Sequence, residues 1–364
     1  MIRDLSARSL NIPFKQTFAH ASAVRAETES VLVTIVNRDG VMGIGEGCPR
    51  KYVTGETIES IQRFVHEYRG HWMDIATVED LREWVTRHAN PIDRNPAAWC
   101  AVETAFLDLM GKEAGQSIET VLGVPALSGR FQYSAVLGAG SHASFEKQLQ
   151  RYLAAGFTDF KVKVMGRQED DTDKLARLAS YDIPSLRVRI DANNLWSEAG
   201  EALAYLKRMP CRVTAIEEPL KVGDYEGCRF VAHEMNVPVI LDESFLRLDQ
   251  FVAIQEMPSA SIINIRISKM GGVLRALSVA AKAKEVGIPI IIGAQVGETS
   301  ILTRAALTVA NSYRDIVIAQ EGAFGTLLLE RDICQPSLMF GNAGRLEAEM
   351  AGRAPGLGLE LTEA

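Results

Sequence analysis

From about residue 130, short β-branched runs alternate with amphipathic helical patterns, and this alternation constrains the fold more than any other feature of the sequence. Neighbouring parallel strands need crossover connections of this length. Eight strands with intervening helices therefore predict an α/β fold with a parallel barrel over residues 129–328. The expected strands span residues 132–136, 159–164, 186–190, 213–216, 237–241, 261–265, 288–292 and 316–319.

Residues 1–128 have a different pattern, which predicts a separate α+β domain. Strands are expected at 2–12, 30–36 and 41–46, with a hairpin turn at 37–40. Helices are expected at 58–68, 77–88 and 97–114. This domain should be a compact three-stranded sheet covered by helices. The tail, from about 329 to 364, is rich in glycine and is expected to pack back on the first domain and complete it.

Composition argues against several classes of protein. The 364 residues are 47% apolar and 23% charged, and the formal net charge is −7 without a long basic run, which argues against a nucleic-acid partner. The five cysteines form no CxxC pair, which argues against a disulfide framework or a zinc knuckle. No apolar stretch has the length of a signal peptide core or a membrane span. We therefore expect a cytoplasmic protein without a membrane partner.

Three acidic residues each close a short apolar run. Asp191 (VRIDANN), Glu217 (AIEEP) and Asp242 (ILDES) follow one another at about one strand-plus-helix interval. One such acid alone is more typical of a helix N-cap or a surface charge. Three at successive strand ends, where a barrel carries its chemistry, favour a site for a hard divalent cation such as Mg²⁺.

A Lys-x-Lys pair precedes the first acid by one repeat. Lys161 and Lys163 lie at i and i+2, so they point to the same face of a strand. The usual interpretation of such a pair is a solvated face, but Phe160, Val162 and Val164 occupy the other face and should pack under the helices. The lysines must then face the barrel interior, where an unpaired ammonium is costly. A lysine is a poor base at neutral pH, and a second ammonium or a nearby cation disfavours its charged form.

The ordered motifs KVK, DANN, EEP, DES and NIRISKMGG resemble those of the enolase superfamily, in the muconate-lactonizing subgroup, and the resemblance covers essentially the whole chain. It implies a modified TIM barrel, (β/α)₇β, beneath an N-terminal α+β capping domain. It also implies one Mg²⁺ held by Asp191, Glu217 and Asp242, and a small carboxylate substrate. Lys163 would be the acid/base and Lys161 would help to neutralise the enolate. Symmetric homo-oligomers are common in this superfamily.

The chain departs from the family at the end of the sixth strand. Racemases and epimerases of the family usually carry a second lysine there, and this chain has Arg266. Arginine stays protonated, so Arg266 is expected to stabilise negative charge or hold a carboxylate and not to act as a second base. Lys269 could replace the missing lysine only if the backbone bends, and a structural or surface position is the expectation. Asn193 is expected to support a ligand or a metal-bound water.

Other positions near the strand ends have weaker assignments. Glu298 could act as an acid or cap the helix after strand seven with Thr299. Glu321, after strand eight, stands without the second acid that dipeptide epimerases usually carry, although one carboxylate can still bind an amine. Glu218 and Glu243 neighbour the ligands but should point away from the site.

The cap should supply substrate contacts. Segments 18–27 and 45–56 match the two loops that close over the substrate in the family. His20, Arg25, Arg50 and Tyr52 are candidate contacts, each as compatible with a solvated loop position.

Three functions remain open at this point. The first is a one-base lyase or cycloisomerase, in which Lys163 removes an α-proton and Arg266 stabilises charge. The alternative is a racemase or epimerase of a dipeptide or N-acyl amino acid that uses a second acid not evident from the sequence. A further alternative is a non-catalytic carboxylate-binding homologue.

Overall fold

The computed structural model describes residues 2–20, 23–138 and 140–362. The strands are β1 Ile2–Leu10, β2 Pro13–His20, β3 Ala23–Glu27, β4 Ser30–Asn37, β5 Met42–Gly47, β6 Arg130–Gln132, β7 Ala135–Leu137, β8 Asp159–Lys163, β9 Arg187–Asp191, β10 Ala215–Glu217, β11 Val239–Leu241, β12 Ser261–Ile265, β13 Ile290–Ile292, β14 Val317–Gln320, β15 Cys334–Gln335, β16 Arg345–Glu347 and β17 Glu360–Leu361. The helices are α1 Ile58–Tyr68, α2 Val78–Arg87, α3 Ala89–Arg94, α4 Pro96–Ala114, α5 Ile118–Leu122, α6 His142–Ala154, α7 Gln168–Ala179, α8 Ala199–Leu206, α9 Tyr225–Met235, α10 Ile267–Met270, α11 Val273–Val286, α12 Ser300–Ser312 and α13 Glu349–Arg353.

The second part of the chain is a parallel barrel. In the described residues, strands β7 to β14 form one eight-stranded sheet in sequence order, and every adjacent pair is parallel. The Ser134 N–H donates to the Gln320 carbonyl oxygen at 2.8 Å and links the two ends of the sheet. Small and branched side chains fill its interior: Ala215, Ile240, Ile262, Ile291 and Ala319. The predicted α/β fold with a modified TIM barrel and an α+β cap is confirmed.

The cap is built on an antiparallel sheet of order β1–β4–β5. Helix α4 packs directly against β5, where the sequence places glycine at every second position. A Cβ added at Gly43 or Gly45 would lie 2.1 or 2.0 Å from a carbonyl oxygen of α4. These glycines let the buried, alanine-rich helix approach the strand backbone. Segment 18–27, expected as a loop, instead contributes to the hairpin of β2 and β3.

The C-terminal segment returns to the earlier parts of the chain. Strand β16 pairs with β6 at the start of the barrel. The Leu357 N–H donates to Asp108 Oδ1 in helix α4 at 2.7 Å, and the Ile118 N–H donates to the Gly356 carbonyl at 3.0 Å. The tail therefore contacts both the barrel and the cap. No helix within the described ranges is long and apolar enough to cross a membrane.

A buried ion pair joins the cap to the barrel. Arg304 in α12 donates two hydrogen bonds to the Glu119 carboxylate in α5, at 2.7 and 2.8 Å, and neither side chain is exposed to solvent. Replacing Arg304 with Met should keep the bulk but leave a buried, uncompensated carboxylate. We expect the free energy of unfolding to fall by about 3–5 kcal/mol in urea titrations. The matched variant Arg87→Met, in an exposed pair with Glu83, should cost less than about 1 kcal/mol. Equal losses in both variants would contradict this assignment.

A second link makes stability depend on pH. Glu46 in β5 accepts hydrogen bonds from the Thr299 N–H and from Thr299 Oγ1 (2.7 Å), at the start of α12. Burial raises the pKa of Glu46 to about 7 against the opposing effect of these hydrogen bonds. Because the pKa is raised in the folded state, the group contributes most at low pH, and this contribution is lost as pH rises through about 7. Glu46→Gln should flatten the fall in unfolding temperature between about pH 5 and pH 8. If the unfolding temperatures of the variant and the wild type fall in parallel with pH, Glu46 is not the cause of the pH dependence.

Candidate active site

The sheet register brings the motif residues to one level of the barrel. Lys163 pairs with Asp191, and Asp191 pairs with Glu217, on three adjacent parallel strands. Asp242 follows the end of β11, one strand further along. All four side chains are buried. Neighbouring strands are about 4.8 Å apart, so three carboxylates and an ammonium group must share one small volume.

Lys161 lies at the centre of this charge cluster. Its Nζ donates to both oxygens of Glu217, at 2.8 and 3.0 Å, and to Glu321 Oε2 at 2.7 Å. Burial by itself would lower the pKa of Lys161, but the carboxylates of Glu217, Glu321 and Asp191 raise it well above its ordinary value. These contacts favour Lys161 as a fixed positive charge over a role as a base.

Lys163 has different partners. Its Nζ donates to Asp191 Oδ2 at 2.9 Å and to the side-chain oxygen of Asn193 at 2.8 Å. The Asn193 N–H in turn donates to Asp191 Oδ1 at 3.1 Å, in a backbone with a positive φ of 47°. Asn193 thus orients both the lysine and the first acid. It lines the same pocket as Lys163.

The three acids differ in charge balance. Burial would raise the pKa of Asp191, but Lys163 and Lys161 outweigh it and hold this pKa below its usual range. Burial raises the pKa of Glu217 to about 8, with Asp191, Glu321 and Asp242 adding to the effect and Lys161 opposing it. Repulsion among these acids is what a divalent cation would relieve.

The donor set fits a hard cation. In the described part of the chain, no three acidic, histidine or cysteine side chains are oriented so that they could hold a metal ion together, because the carboxylates of the site are turned to ammonium and guanidinium groups. Three carboxylates at adjacent strand ends are nevertheless the oxygen ligands that Mg²⁺ prefers. Among the described residues, Asp242 Oδ2 is buried and accepts no hydrogen bond, although the Arg266 guanidinium lies against it.

Arg266 faces Lys163 across the pocket. Its Nη1 donates to Gln295 Oε1 at 3.0 Å, and its Nη2 lies against Asp242 and 3.7 Å from Glu217 Oε1. Burial would lower the pKa of Arg266, but the acids Asp242, Glu243 and Glu217 raise it above its ordinary value. The guanidinium is therefore a permanent cation at the position where the family's lysine is expected.

Lys269 is neither at the surface nor in the pocket lining. The short helix α10 turns it inward, where it is fully buried, and its Nζ donates to Asp242 Oδ1 at 2.7 Å. Of the two expected positions, structural or surface, the structure shows the structural one, because the backbone turns directly after Arg266. Lys269 supports the third acid from behind the site.

The candidate substrate contacts of the cap do not all lie at the pocket. Tyr52 lines the pocket with Lys163 and Arg266. Arg50 is buried, and its guanidinium donates to the carbonyl oxygens of Pro49 (2.6 Å) and Val296, so it ties the cap to the seventh strand end. Arg25 donates to Glu29 at 2.8 Å and lines an outer cleft. The side chain of His20 lies outside the described residues.

The two acids after strands seven and eight are both engaged. Glu298 Oε1 accepts from the Gln295 N–H at 2.6 Å and closes its own loop, whereas Thr299 is the N-cap of α12. Glu321 accepts from Lys161 and, through Oε1, from Arg189 Nη1 at 2.8 Å. Its carboxylate therefore faces the pocket but is already neutralised.

Family models match both parts of the chain. Residues 144–364 match "Enolase C-terminal domain-like", and residues 3–123 match "Mandelate racemase / muconate lactonizing enzyme, N-terminal domain". The chain belongs to the enolase superfamily. Its first domain matches the mandelate racemase / muconate lactonizing enzyme model, and similar proteins over the whole chain are enzymes, so the non-catalytic alternative is set aside.

Similar proteins of this superfamily cover nearly the whole chain. An L-Ala-D/L-Glu epimerase of Clostridium acetobutylicum is 26% identical and is covered over 99% of both chains. An N-succinyl-L-Arg/Lys racemase of Bacillus cereus is 24% identical over 98% of this chain and 94% of that protein. The crystal structure of a dipeptide epimerase from Methylococcus capsulatus, complexed with Mg and L-Arg-D-Lys, is 26% identical with a TM-score of 0.85, covering 98% of this chain and 99% of that one.

Sequence reasoning missed four polar residues of this enolase-superfamily site. Arg189 and Asn264 each precede a motif residue by two positions on a strand, so strand alternation could have indicated them. Asn264 donates to Glu217 at 3.2 Å, and Gln295 accepts from Arg266. Glu243 was expected to point away and instead lines the pocket; strand β11 ends at Leu241, so alternation does not extend to it.

Proposed function

We propose that this chain is a Mg²⁺-dependent enzyme that removes and returns the α-proton of a small carboxylate, and that it epimerises or racemises a dipeptide or an N-acyl amino acid. The observation that carries the α-proton chemistry is the placement of Lys163 in one pocket beside three buried carboxylates. The epimerase and racemase names of proteins that match over almost the whole chain support the choice of reaction.

Asp191, Glu217 and Asp242 would hold the Mg²⁺. A bound Mg²⁺ supplies positive charge at the substrate carboxylate, which makes the α-proton more acidic. Lys161, fixed between Glu217 and Glu321, adds a second positive charge where negative charge develops. Lys269 and Asn264 hold the acids in place.

Lys163 is the residue that takes the α-proton in this proposal. The Asn193 side chain and the Asp191 carboxylate fix its Nζ at the edge of the pocket. Its fraction of exposed surface is 8%, compared with 3% for Lys161. Both lysines line the pocket, but Lys163 is the more exposed of the two, and Lys161 is bound by more carboxylates.

The opposite face of the substrate would meet Arg266 and Tyr52. A protonated guanidinium stabilises negative charge but is a poor proton donor. The Tyr52 phenol lines the same pocket, and burial raises its pKa, so it is protonated at neutral pH. We assign the return of a proton on this face to Tyr52, with Arg266 as the neighbouring positive charge.

A chiral screen in D₂O with Mg²⁺ tests the proposed reaction. Dipeptides, N-acyl amino acids, hydroxy acids and sugar acids would be incubated with the enzyme and analysed by chiral chromatography with mass detection. The expected result is inversion at the α-carbon with uptake of one deuteron. Loss of water or a ring rearrangement without inversion would contradict epimerisation.

A one-base lyase or cycloisomerase is the second candidate, and the specific observation in its favour is Arg266. A site with one lysine base and one permanent cation is suited to a reaction in which a proton leaves on one face only. In that case Arg266→Lys should retain part of the activity, and no inverted substrate should accumulate. The same screen distinguishes the two candidates.

A further inference from the structure

The catalytic pocket is too small for a whole dipeptide or N-acyl amino acid. Its volume is about 60 Å³, and one water needs roughly 10–15 Å³ by the same kind of measure. A carboxylate and an α-carbon fill such a space. The remainder of the substrate must extend into a neighbouring cavity.

The order of strands in the barrel shows in which direction it extends. The three acids stand at the ends of β9, β10 and β11. Across the ring of eight strands lie β13, β14 and β7, which the Ser134–Gln320 hydrogen bond joins. A substrate whose carboxylate is held by a cation at the acids would therefore point its other end at β14 and β7. The side chains of Val136 and Phe324 line the pocket on that side.

A second cavity begins at these two residues. It has a volume of about 310 Å³ and shares Val136 and Phe324 with the catalytic pocket. Its aromatic lining is packed edge to face: Phe340 lies 5.5 Å from both Phe324 and Phe157 between ring centroids. The cationic residue of the lining, Arg151, is exposed to solvent. An apolar group that is buried in the cavity would stabilise the complex by about 25 cal/mol for each Å² of apolar surface removed from water.

The same side of the pocket is poorly suited to an ammonium group. Glu321 is the carboxylate there, and each of its oxygens is already engaged, one by Lys161 at 2.7 Å and the other by Arg189 at 2.8 Å. Glu243, whose Oε2 accepts no hydrogen bond from the described residues, belongs to the side of the metal ligands. An amino terminus placed beside Val136 would meet Lys161 without a free carboxylate.

We propose that the cavity between Val136, Phe324 and Phe340 receives a neutral, apolar acyl group on the α-nitrogen of the substrate. N-acyl amino acids with an extended hydrocarbon chain are then the preferred substrates, and dipeptides with a free amino terminus are poor ones. This proposal rests on the α-proton chemistry proposed above.

The test compares chain lengths in the wild type and in variants that fill the cavity. The probes are N-acetyl-, N-hexanoyl- and N-succinyl-L-alanine and the dipeptide L-Ala-L-Ala. Ala155→Phe and Leu327→Trp each add bulk to the cavity without lining the catalytic pocket. Ala179→Phe is the matched control, because it makes the same change at the exposed C-terminal end of α7. Deuterium exchange gives kcat/KM, and calorimetry gives the binding constant.

The wild type and Ala179→Phe should prefer the hexanoyl over the acetyl compound by about tenfold or more. Either filling variant should remove this preference. Equal kcat/KM for both chain lengths, an unchanged preference in both folded filling variants, or a preference for the succinyl compound or the dipeptide would overturn the proposal. If no compound exchanges its α-proton, the proposed reaction is wrong, but calorimetry still tests whether the cavity binds an acyl group. Tighter binding of the hexanoyl than of the acetyl compound would support the proposal, and equal binding would overturn it.

Discussion

Replacing Lys163 with Ala should lower kcat/KM for α-proton exchange by roughly 10²–10⁴-fold. Lys163 is the lysine that lines the pocket with two neighbouring polar partners, Asp191 and Asn193, and without a surrounding cage of carboxylates. We do not expect Lys161 to take over, because its Nζ is bound by Glu217 and Glu321 and these carboxylates raise its pKa. The rate is measured by mass spectrometry in D₂O with a substrate identified in the screen.

The control for this variant is Lys207→Ala, which removes a half-exposed lysine paired with Glu234 on the barrel exterior. It should leave the exchange rate unchanged. Thermal unfolding of both variants would show whether the fold is intact. A Lys163→Ala enzyme that is folded, binds substrate and exchanges the α-proton at the wild-type rate would exclude Lys163 as the base.

Replacing Glu217 with Gln should abolish tight Mg²⁺ binding and activity together. Glu217 stands between the other two acids. Burial is the main cause that raises its pKa to about 8, and the charges of Asp191, Glu321 and Asp242 add to the effect; a divalent cation would relieve this added repulsion. Changes to residues that merely support ligands cost about 10–100-fold in metal affinity. Loss of a direct ligand should therefore weaken Mg²⁺ binding by more than about 100-fold. Calorimetric titration of chelator-treated protein measures this directly.

Chelation of the wild type should likewise stop turnover, and added Mg²⁺ should restore it. Glu226→Gln, on the exposed side of α9, is the matched control and should bind Mg²⁺ like the wild type. Unaltered Mg²⁺ affinity in the Glu217 variant, or full turnover in the presence of a chelator, would show that the acids do not form the metal site.

The parts of the site that follow strand geometry could be predicted from the sequence. Alternation along β8 placed Lys161 and Lys163 on the inner face, since Phe160 and Val162 are buried on the other. The repeat interval placed the acids at successive strand ends. The position of Arg266, one repeat after Asp242, followed from the same interval.

The parts that depend on irregular backbone or on distant contacts could not be predicted. Glu243 and Lys269 lie beyond strand ends, where the chain turns and alternation no longer applies. Arg50 was a candidate substrate contact, but its guanidinium donates to two main-chain oxygens, that of Pro49 beside it and that of Val296 in the barrel. The hairpin of β2 and β3 was missed because residues 18–27 contain no Gly, Pro or Asn to mark a turn.

The sequence and the similar proteins favour different candidate reactions. Arg266 led us to prefer one-base chemistry, because arginine cannot easily serve as a second base. The epimerases and the racemase that match the whole chain favour the alternative. The role proposed for Tyr52 would reconcile the two, since Tyr52 lines the pocket from the cap, where local sequence carries little information on side-chain direction.

The most direct test is the isotope content of each enantiomer of one N-acyl amino acid, recovered before equilibrium from D₂O with Mg²⁺. Lysine carries three exchangeable protons and tyrosine one. The account therefore predicts that the enantiomer whose α-proton faces Lys163 gains deuterium in recovered substrate, and that its mirror image gains it only in the inverted product. Equal deuterium in both recovered enantiomers would show a second lysine-like base, and absence of deuterium from all species would contradict α-proton transfer at this site.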